Sequence, residues 1–371
     1  MSCTYPSLES PVTYLLLDLN GTLHVGDEPT RDAVAAMARL AALQASSSGR
    51  LRMSFCSNSS KESTSKLVAR LRWMGFDGKT LPDESVFTSL DACKRLCDRL
   101  GRKRTLLLLG EDAHNAFPEP SDSSPYDGYN RWFKASPSRP PGALSPTETE
   151  ELRDCDAVVV GLAPEVMSYA WLDEAFRILS GEYQRGASHD WQAVLVGTHR
   201  GLYYRPGVPT KEKGDSGVTG VVSQTGSSHV QTGQREASQQ SPLSLGPGAF
   251  ITALETAAGL SSDQVKIVGK PTREFFAECL AGLGRQAPQA LETSGEIVWI
   301  LGDDAKQDLS LPPALPGIED PLRGVTIRRG LMRTGKYRNG DEEKVTDSGP
   351  DGVWDDFAQW VEWFAGEWQT N

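Results

Sequence analysis

The chain has 371 residues, 38% of them hydrophobic, which suffices for a sizeable core and exceeds one average domain, so two modules or one domain with a large insertion is expected. A net charge of −11 with no dense Lys/Arg run excludes nucleic acid and anionic membrane as natural partners. The start, MSCTYPSLESPVTYLLLDLNG, shows neither a signal core nor a membrane-length apolar run, and six cysteines are too few for a disulfide framework in so long a chain; a soluble, cytoplasmic protein is expected.

Apolar runs with strand character recur at 12–17, 51–56, 105–109, 157–162, 193–197, 265–269, 297–301 and 324–328. Helical patterns lie between many of them, at 31–44, 62–75, 89–100, 168–180, 248–259 and 272–282. Continuous apolar strands alternating with helices indicate an α/β protein with a parallel sheet covered on both faces. Cys93 and Cys97, four apart on one of these helices, read as packing residues, because two thiols alone make no metal site.

Two segments break the alternation. Residues 115–146 carry seven prolines and many serines, with Tyr126, Tyr129, Trp132 and Phe133 available as anchors. Residues 210–240 hold no aromatic residue, Leu or Ile, and such a composition predicts a disordered surface loop. At the C-terminal end, Trp354, Phe357, Val361 and Phe364 follow helical spacing, with Trp360, Trp363 and Trp368 widening the same face. A helix docked on the sheet is expected there.

In open α/β sheets, ligands bind outside the carboxyl ends of the strands, so the residues following each apolar run are the informative ones. After the first run comes Asp18, in DLNGT; after the second comes Ser57, in SNSSKES. The run at 265–269 leads into Gly269-Lys270-Pro271, where a helix-starting proline follows the lysine. The run at 297–301 leads into GDDAKQD, with Asp303, Asp304 and Asp308. Each has a plainer reading alone: a turn cap, a helix N-cap, a solvated lysine, an acidic turn. Together they offer carboxylates for a hard cation, and a hydroxyl and an ammonium for a phosphoryl group.

This ordered set resembles the four motifs of the haloacid-dehalogenase-like hydrolase superfamily. Only 38 residues separate Asp18 from Ser57, whereas 212 lie between Ser57 and Lys270, which resembles the C2-capped, NagD-like subgroup. The stretches VVVGLAPE, SLGPGAFITALE and TGKYRNGDEEK extend the likeness over nearly the whole chain. The resemblance implies a Rossmann-like doubly wound core at 1–84 and 246–371. An α/β cap is implied at 85–245, with low-complexity loops near 115–146 and 207–243.

It also implies roles. Asp18 attacks phosphorus; Ser57, with backbone amides near Asn58 and Ser59, and Lys270 hold the phosphoryl group. Mg²⁺ is ligated by Asp18, the backbone carbonyl of Asn20 and Asp303, while Asp308, with Asp304 beside it, orients the metal waters and the lysine. The implied partner is a small phosphorylated substrate, and the resemblance allows a homodimer through the cap. His199, Arg200 and Arg205 in the cap, and His24 after the first motif, are candidates for substrate contact, each with a packing or surface reading beside it.

One position departs from the family pattern. Most superfamily phosphatases carry a second aspartate where this chain has Asn20, and an amide cannot exchange protons near neutral pH. General acid–base catalysis contributes about 10²–10⁴-fold. Alkyl phosphate esters are therefore expected to be slow, and pyrophosphate, acyl phosphates or phosphoramidates less affected. A weakly active or inactive binding protein is the rival reading, and a phosphotransferase uses the same residues.

Overall fold

The computed structural model describes residues 11–101, 104–119, 131–184, 192–204, 243–285, 295–314, 319–345 and 349–370. The low-complexity stretch 210–240 and Arg205 lie outside them.

Two parallel sheets organise the chain. The first runs in the order Gly352–Trp354, Thr326–Met332, Ile297–Gly302, Thr13–Asp18, Leu51–Ser57, Val86–Thr88. Its central strand, TYLLLD, is buried along its whole length, as an apolar run flanked on both sides by other strands should be. Alternate side chains go to opposite faces. Leu15 and Leu17 join a cluster with Met37, Leu40, Leu71, Trp360 and Phe364, while Tyr14 and Leu16 join one with Phe275, Phe276 and Leu280. Helices Ala33–Ser46, Thr64–Trp73 and Phe357–Thr370 thus cover one face, and helix Arg273–Gly282 the other.

The second sheet runs Val265–Ile267, Val194–Gly197, Ala157–Val160, Thr105–Leu108, Trp132–Lys134, again all parallel. Helices Tyr169–Leu179 and Pro247–Ala257 cover one side through Trp171, Ile178, Ile251 and Leu254. Helix Ser89–Leu100 covers the other with Leu90, Cys93 and Cys97, so the cysteine pair packs in a core. Burial pushes both thiols up, Cys97 to about 12, which leaves them protonated.

Val86–Thr88 still pairs in the first sheet, and the segment 247–267 belongs to the second, because Val265–Ile267 pairs with Val194–Gly197. Trp354 is not on the C-terminal helix. It ends an edge strand and packs at a tilt against Trp363, at 5.1 Å between ring centres. Pro271 does not start a helix either: it follows Lys270 across a cis peptide bond, and Thr272 caps helix Arg273–Gly282. Within 115–146, Trp132 and Phe133 do anchor a buried strand, and helix Pro146–Arg153 follows behind a Ser145–Glu148 capping box.

Candidate active site

Parallel register sets the site. Asp18 lies opposite Cys56, so Asp18 and Ser57 emerge at neighbouring carboxyl strand ends. Leu17 lies opposite Leu301, which carries Asp303 to the same edge. Asp18, Asn20, Ser57, Asn58, Ser59, Lys270, Asp303 and Asp308 all border one cavity of about 100 Å³.

The Lys270 ammonium lies 2.5 Å from Asp18 Oδ1 and 2.7 Å from Asp308 Oδ1, with all three residues buried. Its backbone is held by Asn58: Lys270 N–H donates to Asn58 Oδ1 at 2.8 Å, and Asn58 Nδ2 donates to the Lys270 carbonyl at 3.0 Å. Asp308 stands on the wide turn Ala305–Leu309 and accepts from the Asp304 N–H at 3.0 Å. Asp303 accepts from the Lys336 N–H at 2.5 Å. Two glycines press against this carboxylate. A Cβ at Gly21 (φ +112°) or Gly335 (φ +52°) would lie 2.2 Å from it, so only glycine fits either position.

Burial pushes the Asp18 carboxyl up to about 6 against the pull of Lys270, and Asp308 adds to the rise. Asp303 is raised by burial and then by Asp308 and Asp18. Burial opposes the charge on Lys270, but Asp18 and Asp308 outweigh it and hold the ammonium above its usual range. The carboxylate oxygens of Asp18, Asp303 and Asp308 lie within 4.8 Å of one another, and the buried Asp18 Oδ2 has no hydrogen-bond partner. Three converging carboxylates with an orphaned oxygen fit a hard divalent cation such as Mg²⁺.

The other expected residues divide. Asn20 borders the cavity with its residue exposed. Ser59 N–H donates to Ser57 Oγ at 3.1 Å. Asp304 caps its own turn through the Lys306 and Gln307 amides and receives the Lys336 ammonium at 3.4 Å. His199 lines the cavity from the second sheet, joined by Tyr203 and Tyr204 of the neighbouring short strand. Arg200 is not at the cavity: it pairs with Glu255 on a helix of the second sheet at 2.8 Å. His24 is fully buried, donates from Nδ1 to the Gly26 carbonyl at 2.8 Å and does not reach the cavity.

Lys336 and Gln307 also border the cavity, and neither stood out in the sequence. The apolar run at 324–328 stops short of the end of its strand. The strand continues to Met332, so the strand-end rule applied there would have reached Thr334, Gly335 and Lys336.

Residues 15–119 match the haloacid dehalogenase-like hydrolase family. Over 331 residues the chain is 29% identical to human haloacid dehalogenase-like hydrolase domain-containing protein 2, covering 89% of this chain and 88% of that one. Human phospholysine phosphohistidine inorganic pyrophosphate phosphatase is 24% identical over 352 residues, 94% of this chain and 92% of the relative. The 4-nitrophenylphosphatase of Thermotoga maritima shares the fold with a TM-score of 0.58 at 18% identity, covering 95% and 97% of the two chains. A glycerol phosphate phosphatase from Mycobacterium tuberculosis, solved with magnesium, does so at 0.56 and 20%, covering 93% and 76%. The chain is thus similar to haloacid-dehalogenase-like hydrolases, through the match over residues 15–119 and through relatives of 29% identity or less over most of its length. With these solved structures it shares a fold of a Rossmann-like parallel-sheet core and a second α/β unit.

Proposed function

We propose that the protein is a Mg²⁺-dependent phosphatase that passes the phosphoryl group of a small phosphorylated molecule, pyrophosphate or a phosphoramidate to Asp18 and then to water. The observation that carries this reading is the state of Asp18: Lys270 fixes Oδ1, while the buried Oδ2 is left without a partner beside two further carboxylates. Ser57 and the amides near Asn58 and Ser59 hold the phosphoryl oxygens, and Lys270 offsets the charge of nucleophile and phosphate together. Asp18, the Asn20 carbonyl and Asp303 would hold Mg²⁺, with Asp308 orienting its waters; bound there, the cation supplies charge neutralisation at the transferring group. Pyrophosphate and phosphoramidates are the favoured class because Asn20 cannot protonate a poor leaving group, and one relative is named for those substrates. This reading takes the enzyme as cytoplasmic and as a homodimer through the cap, where Tyr203 and Leu245 are exposed on a two-stranded ribbon. Among the described residues no helix is long and apolar enough to cross a membrane.

The test is phosphate release from pyrophosphate, phosphoramidates and sugar phosphates, with and without Mg²⁺. Turnover that needs the metal and disappears in Asp18→Asn is expected. Turnover that survives Asp18→Asn overturns the mechanism.

A further inference from the structure

The proposed phosphatase leaves its departing group without an acid at position 20, and the second sheet offers a different device. His199 follows strand Val194–Gly197 and borders the same cavity as Asp18 and Asn20. Its Nδ1 accepts the Gly201 N–H at 3.1 Å, so the neutral ring carries its proton on Nε2. Gly201 permits that approach, since a Cβ there would stand 2.7 Å from Nδ1. Among the described residues Nε2 has no hydrogen-bond partner. The result is a fixed, unspent N–H donor at the wall of the cavity that also holds Asp18, Asn20 and Lys270.

We propose that His199 donates its Nε2–H to the leaving atom of the substrate, supplying the charge stabilisation, though not the proton, that an acid at position 20 would give. This rests on the phosphatase reading. Burial beside Lys336 and Lys270 lowers the basicity of the imidazole to about 3, so the ring stays neutral throughout the working pH range. With a proton already on Nε2 and Nδ1 engaged, it serves neither as acid nor as base. In the step itself an Asp18 oxygen forms a bond to phosphorus as the bond from phosphorus to the leaving oxygen breaks. That oxygen keeps the electron pair, leaves as an anion and takes its proton from water afterwards. A donor aimed at the developing charge helps most where that charge is least stable, on weakly acidic leaving groups.

A series of aryl phosphates from strongly to weakly acidic phenols separates this role from a structural one. His199→Phe should lose about 10²-fold in kcat/KM on the least acidic phenol, the scale seen when one such donor is removed, and little on 4-nitrophenyl phosphate. His199→Gln, which keeps a donor, should recover part of the loss. Long-range ¹H–¹⁵N correlation at pH 7 should show His199 neutral and protonated on Nε2. Equal loss on all phenols, no loss, or a ring protonated on Nδ1 overturns the role while Asp18-dependent turnover persists. Absence of Asp18-dependent turnover on every phosphate tried overturns the phosphatase reading, and this role with it.

Discussion

The side-chain amide of Asn58 closes a two-point clamp on the main chain of Lys270, accepting from its N–H at 2.8 Å and donating to its C=O at 3.0 Å. The residues are 212 positions apart, and the clamp joins the second motif to the third. The Gly269 backbone lies so close that a Cβ there would stand 2.3 Å from Asn58 Oδ1. Lys270 therefore has its ammonium aimed by its backbone as well as by Asp18 and Asp308.

Asn58→Ala should free that backbone. Leaving buried N–H and C=O groups unpaired costs about 1–3 kcal/mol. Thermal unfolding should show a drop of that size, and kcat should fall further than KM rises, because the lysine loses its aim while the cavity keeps its lining. Asn58→Asp, which accepts but cannot donate, should fall between wild type and Asn58→Ala.

Asn20→Asp should restore a proton-transfer group next to the nucleophile strand. Turnover of alkyl phosphate esters should rise by about 10²–10⁴-fold, with a much smaller change for pyrophosphate. Steady-state assays on both substrates check this. In the wild type, rapid acid quench should trap phosphate on Asp18 if hydrolysis of that adduct is limiting. No rate gain together with no trapped adduct would falsify the account given for Asn20.

Gly21→Ala should abolish Mg²⁺ binding without replacing a ligand residue. The added methyl meets the Asp303 carboxylate at 2.2 Å in a backbone conformation with φ +112°, which side chains other than glycine rarely adopt. Calorimetric titration with Mg²⁺ should show no binding, and added Mg²⁺ should no longer raise the melting temperature. For the wild type, Mg²⁺ at one hundred times its Kd should add about 2.7 kcal/mol of stability.

His24 predicts a dependence of stability on pH. Burial, with Arg70 nearby, lowers its pKa to about 4 in the folded protein, against about 6.5 in the unfolded chain. The folded state thus resists protonation: its advantage is complete above the unfolded value and is lost as pH falls through the folded one. That gap corresponds to roughly 3 kcal/mol lost between pH 6.5 and 4. Denaturant titrations across this window should show a shallower loss in His24→Gln, which keeps a donor for the Gly26 carbonyl.

Much of the site was legible because a parallel β/α chain sends every strand's carboxyl end to one edge of its sheet. Asp18 and Ser57 end their strands, Asp303 follows its strand by one residue and Lys270 by three, and Asp308 sits one turn beyond Asp303; local periodicity was enough to single them out as candidates. The absence of an acid at Asn20 was equally plain, being a matter of residue type. Tertiary structure alone decided the remainder. Trp354 keeps helical spacing with Phe357, yet pairing with Leu331 and Met332 draws its segment into a strand. Residues 265–267 read as a strand in either sheet, and only their pairing with Val194–Gly197 assigns them to the second. The Asn58 clamp, the two glycines against Asp303 and the free Nε2 of His199 depend on contacts between residues far apart in the chain. Sequence periodicity records which face of an element is apolar; it carries no record of which distant backbone group a side chain will meet.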